Sequence, residues 1–238
     1  MYNKRIQLVV FILIIIIGVF ITKNKKPDFE FVPNDVSVTI PEGTNLADTE
    51  RLILAKGIDL QGRLLTKENL SLEGYLFPDT YRFDLKSSSQ DVIERMKKSY
   101  DDSESVIIAS LLEKEVRTES DMRIVSGIIR KRIKAGMAIQ IDASVAYGAC
   151  LPMFVAGKYC EVSKVNLVDN IKRDSAYNTY TNTGLPPGPI SNPGEMSLFA
   201  ARNPVVSEYW YYLSTREGIT VFSKTLDEHN TAKSKYLR

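Results

Sequence analysis

An apolar run free of charged residues, Ile6 to Thr22 (IQLVVFILIIIIGVFIT), restricts what the first part of this chain can be. A helix over it is about 25 Å long at 1.5 Å per residue, enough to cross a bilayer core with little tilt. A cleaved leader has a shorter apolar region and small residues at the cut. Here Val19, Phe20 and Ile21 run directly into Thr22-Lys23-Asn24-Lys25-Lys26, with no Ala-x-Ala. The expectation is an uncleaved transmembrane anchor over residues 6–22, with residues 1–5 in the cytoplasm. Charge does not orient it, because Lys4, Arg5 and the amino terminus balance Lys23, Lys25 and Lys26.

Beyond the anchor the chain reads as a folded body. Of its 238 residues 44% are hydrophobic and 25% charged, which implies a packed core. A formal net charge of +2 is too balanced to imply nucleic acid as a partner, and the basic runs Lys23–Lys26 and Arg130–Lys134 are short. Residues 23–35 are polar with two prolines, a linker. Val36–Ile40 alternates like a short strand, Pro41-Glu42-Gly43 turns, and a helix from Leu46 to Lys56 stops at Gly57. This small unit is taken as residues 36–70, with a larger domain over 71–238.

In that domain a loop and then a strand are expected over Leu72–Phe83. A helix capped within Ser87–Ser89 runs to Tyr100, and others cover Glu104–Val116 and Asp121–Ala135. Asp142 caps a short helix through Tyr147, and Asn192-Pro193 starts one that reaches Arg202. Trp210–Leu213 and Thr220–Phe222 form a hairpin, and a last helix spans Leu226–Leu237. Local helices with short antiparallel strands make the class α+β. Cys150 and Cys160 fit neither a CxxC redox motif nor a zinc site, and His229 is the only histidine. A small disulfide loop and two separate thiols both remain open.

The helix SESVIIASLLEKEV is apolar on most sides, as a buried helix is. Ser103, Ser110, Lys114 and Arg117 make a narrow polar stripe, with Glu113 beside it on the side of Ala109. Glu115 lies about 200° further round, between Ile108 and Leu111. A partly desolvated carboxyl bordering a cleft suits a general acid. On these residues alone Glu113 is either that acid or a solvated edge. Glu115 is either functional or a buried structural carboxylate paired with an arginine such as Arg130 or Arg132. Tyr177–Pro193 (YNTYTNTGLPPGPISNP) is a rigid segment offering amide, hydroxyl and aromatic groups that suit sugars, or else a long structural turn.

Several runs, in order, resemble the MltG-type (YceG-like) endolytic peptidoglycan lytic transglycosylases. They are VTIPEGTNL (Val38–Leu46), LEGYLFPDTYRF (Leu72–Phe83), IASLLEKE (Ile108–Glu115) and GMAIQIDASVAYG (Gly136–Gly148). YNTYTNTGLPPGPISNPG (Tyr177–Gly194), SLFAARNP (Ser197–Pro204) and VFSKTLDEHN (Val221–Asn230) complete the set. The resemblance implies an N-terminal membrane helix, a small LysM-like module over 36–70, and a catalytic domain in the periplasm or outside the cell. It implies Glu113, the first Glu of E-K-E, as the catalytic acid/base. Gln140, Asp142, Tyr177, Asn178, Thr179, Tyr180, Leu185 and Pro186 would line the glycan groove. The implied reaction cuts the MurNAc–GlcNAc bond within strands without water and leaves 1,6-anhydroMurNAc ends. It needs no metal or cofactor. Implied partners are peptidoglycan strands and the peptidoglycan synthases (penicillin-binding proteins), so that cleavage limits nascent strand length.

Two departures stand out. Ala143 follows Asp142 where the family often has proline, and the N-terminal unit has room for one compact module. Three other readings remain. One is a hydrolytic muramidase with Asp142 as second carboxylate. Another is a non-catalytic peptidoglycan-binding scaffold. The third follows an older label for the family, aminodeoxychorismate lyase, which requires a Schiff-base lysine on pyridoxal phosphate.

Overall fold

The computed structural model describes residues 35–237. The expected anchor over 6–22 lies outside them. Among the described residues no helix is long and apolar enough to cross a membrane.

The alternating residues at the start form β1 (Asp35–Thr39), which pairs antiparallel with β2 (Thr80–Asp84), Val36 opposite Phe83 and Val38 opposite Tyr81. Val38 and Phe83 are fully buried, which fixes the register, since a one-residue slip would turn both outward. The strand of the N-terminal unit therefore takes its partner from beyond residue 70. Between them runs α1 (Leu46–Ala55), capped by Asn45, whose side chain accepts from the Asp48 amide at 2.8 Å. Gly57, at φ +81°, turns the chain away after it.

Two buried carboxylates secure α1. Glu50 accepts from the Leu64 amide at 2.6 Å, the Leu65 amide at 2.9 Å and Arg63 Nε at 2.9 Å, which folds the following loop back onto the helix. Glu73, 3% exposed, accepts the Leu46 N–H at the helix start (3.1 and 3.2 Å) and the Tyr147 hydroxyl at 3.1 Å. Burial pushes Glu73 up to about 7, with the Leu46 amide and the Tyr147 hydroxyl pulling the other way.

Next come α2 (Ser89–Met96), closed by a Ser88/Asp91 capping box, then α3 (Ser103–Glu115), α4 (Glu119–Lys134) and α5 (Asp142–Val155). A single turn, α6 (Leu167–Asn170), is followed by α7 (Glu195–Arg202), the β3–β4 hairpin (Tyr211–Ser214, Thr220–Ser223) and α8 (Leu226–Tyr236). Both α3 and α4 pack on α7, and α8 packs on the hairpin. The core is continuous from Val38 in β1 to Ala201 in α7. The architecture is α+β, as expected.

Three boundaries differ from expectation. The α2 helix ends at Met96 rather than Tyr100, because the Met96 carbonyl and the Lys98 amide bond to residues 77 and 75 instead. The α5 helix passes Tyr147 and runs to Val155, with Pro152 inside it at the cost of one hydrogen bond. Asn192 starts no helix. It is fully buried, its amide nitrogen donating to Thr44 O at 2.9 Å and its oxygen accepting from Leu76 N–H at 3.0 Å. Cys150 and Cys160 are bonded, Cα atoms 5.5 Å apart, fastening the chain after α5 back onto that helix.

Candidate active site

The last turn of α3 carries both candidate carboxylates, and the fold sends them to different places. Glu113 is half-buried, and its Oε2 accepts the Gly194 N–H at 3.1 Å. That contact exists because the 41–44 turn is zipped to the 192–194 segment by the Gly43 N–H to Asn192 O and Asn192 N–H to Thr44 O bonds, both 2.9 Å. Gly43 must be glycine: its φ is +74°, and a Cβ there would sit 3.1 Å from Glu113 Cγ. Glu42 lies against Gly194 and is raised by burial and then by the charges of Glu113 and Glu195.

Glu115 opens into a cavity of about 490 Å³. Its Oε2 accepts the Tyr212 hydroxyl at 3.2 Å. Asp142, at the first turn of α5, lines the same cavity and accepts the Tyr180 hydroxyl at 2.5 Å. Desolvation, then the nearby Asp142 charge, pushes Glu115 up to about 7, while the Tyr212 hydrogen bond acts in the opposite direction. Such a carboxyl is divided between acid and base near neutral pH, which general acid/base work requires. Among the described residues no arginine pairs with it. Arg130 bonds Glu104, and Arg132 donates Nε to Trp210 O at 2.9 Å and a terminal nitrogen to Ile139 O at 2.8 Å. Arg132 thereby ties the hairpin to the 138–139 segment, and the partner of Glu115 is a tyrosine in place of the arginine that one of its two readings supposed.

Gln140 also lines this cavity, and its φ of +56° is the one left-handed backbone of a non-glycine residue among those described. Such backbone costs about 1–3 kcal/mol and persists only where neighbours hold it. Thr179 does so: its carbonyl accepts Gln140 N–H at 3.0 Å and its hydroxyl accepts Ile141 N–H at 2.8 Å. His229, 8% exposed, forms another wall, stacked on Tyr211 at 5.3 Å with Nδ1 unpartnered. Burial, then Lys233 and Arg132, lower its pKa, so it is neutral at physiological pH.

Of the residues expected at the groove, Gln140, Asp142 and Tyr180 meet at one cavity with Glu115. Glu113 is not among them. Thr179 and Asn178 are buried and act on the loop itself, Asn178 donating to Ile171 O at 3.1 Å and Arg173 O at 2.8 Å. Tyr177 packs its ring at a tilt against Tyr147, centroids 5.1 Å apart, Leu185 packs on the core, and Pro186 is buried. Tyr212 was outside the expected set. It sits on a strand remote in sequence and follows no motif that could have marked it.

The chain matches the profile of the YceG-like family over residues 21–235. It is 39% identical over 183 residues to an endolytic murein transglycosylase of Bacillus subtilis (strain 168), covering 70% of this chain and 48% of that protein. It is 27% identical over 177 residues to the endolytic murein transglycosylase of Streptococcus pneumoniae serotype 2 (strain D39), covering 67% of this chain and 31% of that one. The chain thus spans about half the length, or less, of these curated relatives. A crystal structure of a YceG-like protein from Listeria monocytogenes superposes with a TM-score of 0.68 at 30% identity, covering 83% of this chain and 76% of that one.

Proposed function

The chain belongs to the YceG-like family, and on that footing we propose that it cuts peptidoglycan glycan strands internally as a lytic transglycosylase, with Glu115 as its acid/base. The observation that carries the assignment is the position of Glu115: a carboxyl raised to about 7, in one cavity with Asp142, Gln140 and Tyr180. The protonated carboxyl gives its proton to the oxygen joining MurNAc C1 to GlcNAc as the C1–O bond breaks. The MurNAc C6 hydroxyl oxygen then bonds to C1, and its proton passes to the Glu115 carboxylate. One residue serves both steps, no water is consumed, and the product carries a 1,6-anhydro end. Asp142, held by the Tyr180 hydroxyl, faces the positive charge that develops at the sugar ring.

Glu113, which the family pattern pointed to, is the competing choice. Its oxygen is engaged with the Gly194 amide, away from the residues that gather at Glu115. The wider reading includes the anchor over residues 6–22, a body in the periplasm or outside the cell, glycan binding by a LysM-like unit over 36–70, and work beside the peptidoglycan synthases to limit strand length. Mass spectrometry of products released from purified sacculi tests the reaction. The expected ends are 1,6-anhydroMurNAc. Reducing MurNAc ends would instead favour hydrolysis with Asp142 as second carboxylate, and no release would favour a binding scaffold.

A further inference from the structure

A second cavity, of about 360 Å³, adjoins the first, and Lys114, Asp142 and Ala143 line both. It lies between α1, the start of α5 and the segment 159–167. The Cys150–Cys160 disulfide holds that segment in place, and the Tyr159 hydroxyl fastens it to α1 by donating to Asp48 at 3.0 Å.

The lining differs from that of a sugar subsite. Sugars are held by open aromatic faces and neutral polar groups. The aromatic ring here, Tyr159, is already faced by the Arg51 guanidinium at 5.3 Å. Ala146, Val162, Val165 and Ile190 supply an aliphatic lining, and charges of both signs surround it. Asp48 and Glu161 are already engaged, with Arg51 at 3.5 Å and Lys164 at 2.9 Å. Lys114, where the two cavities meet, forms no ion pair among the described residues. Aliphatic lining with an uncommitted cation suits a short peptide bearing methyl groups and carboxylates. In peptidoglycan such a peptide hangs from the lactyl group of MurNAc, next to the bond that Glu115 would cut.

We propose that this second cavity holds the peptide stem of the MurNAc at the scissile bond, with Lys114 taking a stem carboxylate. The inference rests on the glycan-cleaving reading above. It makes the enzyme selective for strands that still carry their stems over strands stripped of them.

The test compares kcat/KM of the full chain on peptide-bearing strands and on the same strands stripped by an amidase. The wild type, Lys114→Ala and Val162→Trp are measured, with circular dichroism to confirm folding. Wild type should favour peptide-bearing strands by about tenfold or more, as one charge-assisted hydrogen bond would provide. Both variants should bring the ratio near one. A ratio near one in the wild type, or an unchanged ratio in either variant, overturns the proposal. If neither substrate is cut, the glycan-cleaving reading fails, and calorimetry with the free stem peptide then decides on the cavity alone. Binding that Val162→Trp abolishes supports a peptide site; no binding to the wild type overturns it.

Discussion

The Tyr212 hydroxyl donates to the Glu115 carboxyl at 3.2 Å, across a cavity whose other acidic wall is Asp142. The two neighbours act on Glu115 in opposite directions: the Asp142 charge raises its pKa and the Tyr212 hydrogen bond lowers it.

That opposition gives a signed pair of pH profiles. In the proposed mechanism cleavage starts from protonated Glu115, so the rate should fall as pH rises through about 7. Tyr212→Phe should move this limb to higher pH, and Asp142→Asn should move it to lower pH. The position of the limb is what counts, since both changes will also lower its height. Limbs that stay put, or move together, would mean that Glu115 does not carry the titration.

Glu73 should make folding stability depend on pH. Its folded-state pKa is raised from 4.5 to about 7, mainly by burial. The folded chain therefore keeps a proton that the unfolded chain has lost, and stability falls as pH rises from about 4.5 to about 7. At about 1.4 kcal/mol per pKa unit the loss is at most about 3–4 kcal/mol. Glu73→Gln should flatten the decline in Tm between pH 5 and pH 8. A decline as steep as in the wild type would contradict the assignment.

The disulfide predicts an unreactive pair of thiols. Labelling of the denatured, unreduced protein should modify neither Cys150 nor Cys160, and replacing both by serine should cost about 2–4 kcal/mol of stability. Two labelled cysteines in the oxidised protein would refute the bond.

Gly127 offers a packing test remote from the chemistry. A Cβ there would stand 2.0 Å from the Val205 carbonyl oxygen, a backbone atom with little room to retreat. Gly127→Ala should lose about 1–3 kcal/mol by overpacking, with kcat preserved in whatever remains folded. Unchanged chemical denaturation would show that the α4 contact yields easily.

Local signals carried the helices well and the site only partly. Asn45 and Gly57 bound α1 as their chemistry requires, and Gly136, at φ +69°, follows the end of α4. Gly148, one residue past the expected end of that helix, lies inside α5 as a packing position: a Cβ there would meet Ser175 Oγ at 2.6 Å and Tyr177 Cβ at 2.9 Å. Such a role depends on a segment nearly thirty residues away. The wheel could not place either glutamate for a related reason. A helical wheel sorts a helix's own faces but not what covers them. Ser110, on the supposedly open stripe, is fully buried and takes the Ile190 amide at 3.1 Å. The face that holds Glu115 opens at its last turn onto walls built by Asp142, Tyr180 and Tyr212. Motif order did bring Gln140, Asp142 and Tyr180 together, although five of their expected companions serve the loop and the core.

The central claim is that Glu115, rather than Glu113, moves the proton. The most direct measurement is release of 1,6-anhydroMurNAc fragments from purified sacculi by Glu115→Gln and Glu113→Gln, each with circular dichroism to confirm the fold. The amide keeps the size of the side chain but can neither give an acidic proton nor take one back. Glu115→Gln should lose about 10²–10⁴ in rate, the usual share of a general acid/base. Glu113→Gln should keep its turnover within a few-fold. A folded Glu115→Gln protein that cuts at near wild-type rate, with Glu113→Gln inactive, would contradict this account and return the role to Glu113.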